Sequence, residues 1–197
     1  IQLIRSTQMQ DISLHLLDTI ENSVRAEARN IKVRVITDVS KNRLRIIVED
    51  DGVGMDAHTL EMAQNPFYTS KLERVKKVGL GIPLFKQNAE LTGGCFKMAS
   101  EPGFGTVLTV DFGLDHIDRM PLGNLKDTLL GCIVGHPEVD FNINLSYSER
   151  GREQSFHFDT AAIKEELGDI PLTYPDVIEY IDQSLNQGIK NTNMEDV

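Results

Sequence analysis

The sequence lacks the features that mark membrane, secreted and zinc-binding proteins. It has no tryptophan and only two cysteines, Cys95 and Cys132, which form no C-x-x-C pair and share no zinc-type spacing with histidine. No stretch approaches the roughly 18 apolar residues of a membrane span, and no signal peptide opens the chain, which begins at Ile1 rather than methionine. We therefore expect a globular protein of the reducing cytoplasm, without a membrane partner.

Positive charge is scarce in one part of the chain only. Residues 1–113 carry fourteen acidic and fourteen basic side chains, whereas residues 114–197 carry sixteen acidic and six basic ones. Proteins that bind nucleic acid rely on clustered Lys and Arg, so we expect no nucleic-acid partner. The acidic segment is either solvated surface or a docking face for a basic protein.

The hydrophobic periodicity predicts six helices and six strands. Helices are predicted over 11–29, from Asp56, and over 82–91, 121–134, 160–167 and 176–187, and strands over 31–37, 43–49, 95–100, 107–112, 139–147 and 154–158. The stretch 65–81 has loop chemistry, and the polar last ten residues are expected to fray. Because the pattern restarts after Gly113, two units are predicted, 1–113 and 114–197. The second unit either extends the layers of the first or forms a small separate lobe.

Four motifs follow one another in the first unit. They are Asp18 with Asn22, Asp50-Asp51-Gly52-Val53-Gly54, Asn65 to Lys71 followed by a basic loop and Gly79-Leu80-Gly81, and Gly103-Phe104-Gly105-Thr106. Each motif is weak alone, since glycines of this kind occur in many turns and an asparagine on a helix usually faces solvent. Their order along one chain makes the set specific.

The motifs share a chemistry that suits a nucleotide. Glycines before a helix let backbone N–H groups approach a phosphate, and the helix dipole favours that anion. The side-chain oxygen of Asn22 is a suitable ligand for Mg²⁺, which borrows its other oxygens from water and phosphates. Asp50, at the end of a predicted strand, can accept a hydrogen bond from an exocyclic amine. Together the motifs predict a site for a Mg²⁺-nucleotide.

In this order the motifs resemble the ATP-binding domain of the GHKL superfamily, which includes histidine kinases, gyrase-type topoisomerases and mismatch-repair ATPases. Residues 17–26 resemble its N-box, 50–54 its G1 box, 79–81 its G2 box and 103–106 its closing Gly-x-Gly-Thr. Residues 66–71, Pro-Phe-Tyr-Thr-Ser-Lys, are similar to the segment before the lid in histidine kinases, the group that the sequence resembles best. The resemblance implies an α+β fold, a two-layer α/β sandwich with a mixed sheet, to which 114–197 adds an acidic α/β extension.

The resemblance also implies roles for individual residues. Asn22 is expected to hold Mg²⁺, Asp50 to bind the adenine amine, Gly54 to line the base pocket and Thr106 to support the adenine side. A mobile lid is expected over about 70–78. The full set implied to contact ATP is Asn22, Asp50, Gly52, Gly54, Met55, Thr69, Ser70, Lys71, Lys77, Gly79, Leu80, Gly81 and Thr106.

Position 18 departs from the family pattern. Members that hydrolyse ATP carry glutamate there as the general base, and histidine kinases commonly carry asparagine. Asp18 keeps the acid but has about one C–C bond less reach, so both a base and a supporting role beside the metal stay open. His15 lacks the motif of a phospho-accepting histidine and is interpreted as structural.

Three functions are compatible with these residues. The first is a regulatory kinase that transfers the γ-phosphoryl group of Mg-ATP to a separate protein, since phosphoryl transfer needs mainly positioning and charge neutralisation. The second is a slow ATPase switch that uses Asp18 as its base. The third is a non-enzymatic ATP sensor whose acidic segment docks a basic protein. A homodimer is left open by the sequence.

Overall fold

The computed structural model describes residues 11–65, 81–195 and 197, and in them it places one six-stranded sheet covered by helices. The helices are α1 (Ile12–Arg25), α2 (Ala57–Ala63), α3 (Gly81–Leu91), α4 (Leu125–Gly135), α5 (Thr160–Leu167) and α6 (Pro175–Asn191), and the strands are β1 (Asn30–Asp38), β2 (Arg43–Asp50), β3 (Cys95–Glu101), β4 (Gly105–Gly113), β5 (Asp140–Glu149) and β6 (Arg152–Asp159). The sheet order is β3-β4-β2-β1-β5-β6. The strand β1 pairs in parallel with β5 and all other neighbours are antiparallel, so the predicted mixed sheet is confirmed.

One face of the sheet carries the core because apolar residues alternate along its strands. On β1 these are Ile31, Val33 and Val35, each fully buried beneath the helices. The apolar faces of α1, α3, α4 and α6 pack on this side, which gives the predicted two layers of helices and sheet. The opposite face of the central strands carries polar and charged side chains, among them Lys32 paired with Glu49.

The C-terminal segment continues the same sheet. Strand β5 lies against β1 in parallel register from the Asn30–Asp140 pair to the Asp38–Ser148 pair, and β6 follows as a hairpin. Of the two arrangements open from the sequence, the structure therefore has the one in which the segment extends the existing layers. Among the helices within the described ranges, none is long and apolar enough to span a membrane.

Two predicted helix ends are wrong. Helix α1 stops at Arg25 rather than at 29, because Glu27 takes a left-handed conformation (φ 62°) that ends the helix. Helix α4 begins at Leu125 behind the cap of Asn124 rather than at 121.

The predicted fraying of the last ten residues is also wrong for those that the structure describes. Helix α6 continues to Asn191, and beyond it Thr192 and Met194 are buried.

Candidate functional site

A row of three polar side chains interrupts the apolar, helix-facing side of the sheet at one end. Asp50, Thr106 and Ser100 lie opposite one another across β2, β4 and β3. Cross-strand partners point to the same face, so the three side chains stand side by side at one end of the sheet. The next row in the same direction is wholly apolar (Val48, Leu108 and Met98). A polar row in this position suggests recognition of a ligand rather than packing.

The carboxylate of Asp50 is held by two donors. The hydroxyl of Ser23 on α1 donates to Oδ2 at 2.7 Å, and the backbone N–H of Gly52 donates to Oδ1 at 3.0 Å. Asp50 is only 8% exposed, and buried carboxylates need such partners. Each oxygen keeps a further lone pair, so Asp50 presents acceptors to the space beside it.

Ser100 connects the G1 box, residues 50–54, to the Gly-x-Gly-Thr motif, residues 103–106. Its hydroxyl accepts the backbone N–H of Met55 at 2.8 Å and donates to the carbonyl of Gly105, also at 2.8 Å. The same oxygen lies 3.0 Å from Oγ1 of Thr106. Ser100 therefore connects the G1 turn, the Gly-x-Gly-Thr turn and the predicted adenine-side threonine through one atom.

The glycines of the G1 box are required by contacts within the chain. A Cβ on Gly52 would lie 2.7 Å from the carbonyl oxygen of Ala26 at the end of α1. Gly54 has φ +66°, and a Cβ there would lie 1.9 Å from the carbonyl oxygen of Glu101. The neighbouring Asp51 accepts the backbone N–H groups of Arg29 and Asn30, both at 2.8 Å. The turn is thus fixed against α1, β1 and β3, which places Asp50 reproducibly.

The N-box side chains meet the start of α3. Asn22 Nδ2 donates to Asp18 Oδ2 at 3.3 Å, which leaves the amide oxygen as the ligand atom that Asn22 can offer a metal. A Cβ on Gly81 would lie 2.0 Å from Asp18 Oδ2, so the carboxylate occupies the space beside that glycine. Because Ser23 follows Asn22 on α1, this group and the polar row belong to one connected site.

His15 lies one turn before Asp18 on the same helix. Its ring stacks on Phe85 of α3 with centroids 4.9 Å apart, and it is 2% exposed. Burial lowers the pKa of His15, while the backbone of Gly81 and the charges of Asp18 and Asp11 act in the opposite direction. Within the described residues, Nδ1 has no hydrogen-bond partner. These contacts agree with the structural role inferred from the sequence.

A cavity of about 370 Å³ lies at the same end of the sheet, but side chains on the face opposite the helices also line it. Its lining includes the outward-facing Lys32, Glu49 and Val107 as well as Asp50, Ser100 and Thr106. Asn22 and Asp18 do not line it, so we do not assign it to the nucleotide. The N-box side chains and the polar row, on the helix side, define the candidate site.

The chemistry of the described donors suits Mg²⁺ only with help from a ligand. No group of three acidic, histidine or cysteine side chains that could hold a metal occurs in the part of the chain that the structure describes. A Mg²⁺ ion bound by one amide oxygen would complete its coordination with oxygens from phosphates and water, as Mg²⁺ usually does in proteins. The donor set therefore fits a Mg²⁺-nucleotide better than an independent metal centre.

The structure brings together the predicted residues that it describes, in two adjoining groups. Asp50, Gly52, Gly54, Met55 and Thr106 form the base side, and Asp18, Asn22 and Gly81 form the other group. The remaining predicted residues, Thr69, Ser70, Lys71, Lys77, Gly79 and Leu80, and the lid over 70–78, lie outside the described residues.

Two site residues were missed by the sequence reasoning, Ser23 and Ser100. Ser23 carries a weak signal, since it directly follows Asn22. Ser100 carries none, because its role depends on strand register.

Comparison with known proteins agrees with this geometry. Residues 9–116, more than half of the chain, match the family described as "Histidine kinase-, DNA gyrase B-, and HSP90-like ATPase". The chain is 29% identical over 99 residues to the sensor histidine kinase YvrG of Bacillus subtilis, covering 49% of this chain and 17% of that protein. It is 31% identical over 96 residues to the signal transduction histidine-protein kinase AtoS of Escherichia coli, covering 48% and 15%.

Among solved structures, the MutL ATPase domain of Aquifex aeolicus complexed with ADP is 14% identical, with a TM-score of 0.47, and the match covers 91% of this chain and 70% of that one. The chain spans about a sixth of the length of the two kinases. The matched segment contains every motif that forms the candidate site. The chain therefore belongs to the histidine kinase-, DNA gyrase B- and HSP90-like ATPases, and residues 9–116 are an ATP-binding domain of that family.

Proposed function

We propose that this chain binds Mg-ATP and transfers its γ-phosphoryl group to a separate protein. The observation that carries the proposal is the joining of the polar row to the N-box through the hydrogen bond from Ser23 to Asp50. That bond ties a base-binding carboxylate to the helix that carries Asn22. The protein partner, the cytoplasmic location and a homodimer stay predictions.

Each described side chain has a part in this proposal. Asp50 accepts a hydrogen bond from the adenine amine, and Thr106 supports the adenine side. Asn22 would hold Mg²⁺ through its amide oxygen. When bound, the ion neutralises charge on the phosphates. In the transfer, the bond from the γ-phosphorus to the oxygen that bridges to the β-phosphate breaks. A bond to the acceptor's nucleophile forms, ADP leaves, and in this proposal Asp18 takes the acceptor's proton.

The surroundings of Asp18 favour transfer over unassisted hydrolysis. Its carboxylate is contacted by the Asn22 amide and stands against Gly81, and its side chain is shorter than the glutamate of hydrolysing relatives. A shorter and partly engaged base is poorly suited to activating a free water molecule. An acceptor delivered by a docked protein makes a smaller demand on it, because docking supplies the orientation.

A second candidate, an ATP-dependent switch, is favoured by contacts between α1 and the C-terminal segment. The carbonyls of Pro121 and Leu122 accept the first N–H groups of α1, from Ile12 at 3.0 Å and from Ser13 at 2.9 Å. At the other end of the helix, Glu21 contacts His136 at the end of α4 at 2.8 Å. We propose on this basis that 1–113 is the nucleotide-binding unit and that 114–197 senses its state.

The experiment that tests the proposal follows the γ-phosphate. The whole chain is incubated with Mg²⁺ and ATP labelled on the γ-phosphorus, in an extract of its own source cells, beside an Asn22→Ala control. Kinase function predicts a labelled protein band that the control does not produce. Release of labelled phosphate without any labelled protein would instead support the switch, and tight binding with neither product would support the sensor.

A further inference from the structure

Ser100 lies outside the family motifs, although its hydroxyl contacts three groups of the candidate site. It accepts from Met55, donates to the Gly105 carbonyl and contacts Thr106. A serine hydroxyl has one hydrogen and two lone pairs. The hydrogen is committed to Gly105, because a carbonyl oxygen can only accept. One lone pair is committed to the N–H of Met55.

If all three contacts of Ser100 are hydrogen bonds, only one of the two hydroxyls can be the donor between Ser100 and Thr106. Thr106 must donate its hydroxyl hydrogen to the remaining lone pair of Ser100 at 3.0 Å. The Thr106 oxygen then has no hydrogen left to donate, so it can only accept a hydrogen bond from the nucleotide. Beside it, Asp50 is also an acceptor, since Ser23 and Gly52 donate to its two oxygens.

We propose that Ser100 is a positioning residue that makes this wall of the site accept hydrogen bonds only, so that the protein selects 6-aminopurine over 6-oxopurine nucleotides. The proposal rests on the proposed function, since it requires that ATP binds with its base beside Asp50. A 6-amino group supplies donors to both acceptors. A 6-oxo group would face acceptor oxygens without a hydrogen between them, which a buried site penalises strongly.

The test measures equilibrium binding of ATP and of inosine triphosphate by calorimetry, with Mg²⁺ present, on the whole chain. Ser100→Ala frees the Thr106 hydrogen to donate to a 6-oxo group, so the ratio of ATP affinity to inosine triphosphate affinity should fall roughly tenfold. Ser100→Thr keeps a hydroxyl and should keep the ratio. Thr109→Ala removes a strand hydroxyl on the other face of β4 and is the matched control.

A double variant shows whether Ser100 acts through its neighbour. Once Thr106→Val has removed the threonine oxygen, adding Ser100→Ala should leave the ratio unchanged. If Ser100→Ala folds poorly, Ser100→Cys keeps the volume with a weakly bonding thiol and should also lower the ratio. Equal losses for both nucleotides, with an unchanged ratio, would overturn the inference while leaving ATP binding intact. A wild-type chain that binds neither nucleotide would overturn the proposed function itself.

Discussion

The contact between Asp18 and Gly81 can be tested by adding a single methyl group. Gly81 begins α3, and its Cβ position lies 2.0 Å from Asp18 Oδ2 and 2.7 Å from Asp18 Cγ. Gly81→Ala must therefore displace the carboxylate or the start of the helix. Overpacking of this kind typically costs about 1–3 kcal/mol, against which alanine regains roughly 0.5–1 kcal/mol of helix propensity. We expect a net loss of about 1 kcal/mol in the free energy of unfolding.

Gly131 provides the matched control for this substitution. It lies inside α4 with no atom within 4 Å of its Cβ position, so Gly131→Ala should raise stability by roughly 0.5–1 kcal/mol. Urea unfolding should therefore separate the two variants by about 2 kcal/mol. Removing the obstructing carboxylate with Asp18→Ala should recover most of the loss in Gly81→Ala. Equal stability of the two glycine variants, or no recovery in the double variant, would refute the placement of Asp18 against α3.

Three further outcomes are expected elsewhere in the molecule. Burial lowers the pKa of His15 from 6.5, so the unfolded chain takes up the proton first as the pH falls, and stability declines below about pH 6.5. His15→Phe should remove this part of the dependence of the unfolding free energy on pH between pH 7 and 5, and an unchanged dependence would contradict it. Burial raises the pKa of the Cys132 thiol to about 12, so iodoacetamide at pH 7.5 should leave it unmodified in the folded chain and modify it in urea, as mass spectrometry would show. A Cβ on Gly188 would lie 2.3 Å from the ring of Phe156, so Gly188→Ala should lower the thermal midpoint by several degrees, and an unchanged midpoint would show that the ring can move away.

Much of the fold could be predicted because local patterns decide it. The alternation of Leu44, Ile46 and Val48 places one face of β2 in the core, as the structure confirms. The errors arise where tertiary contacts outweigh local preference. Pro121 looks like the start of a helix, but its carbonyl instead accepts the first N–H of α1, and α4 begins four residues later.

Some residues of the candidate site could likewise be predicted from the sequence, and others could not. Asp50 and Asn22 could be found because they sit in motifs of fixed spacing. Ser100 could not, because its contact with Thr106 follows from the pairing register of β3 and β4. Register depends on the turn and on the packing of the whole sheet, neither of which a motif records.

The measurement that tests the central claim most directly is ATP binding with and without Mg²⁺. In Asp50→Asn, an amide N–H₂ would face one of the two donors that now hold the carboxylate. We predict a loss of about 10- to 100-fold in ATP affinity whether or not Mg²⁺ is present. Asn22→Ala should lose only the part of the affinity that depends on Mg²⁺. Unchanged binding by Asp50→Asn, in a variant that unfolds like the wild type, would contradict the placement of the base beside Asp50.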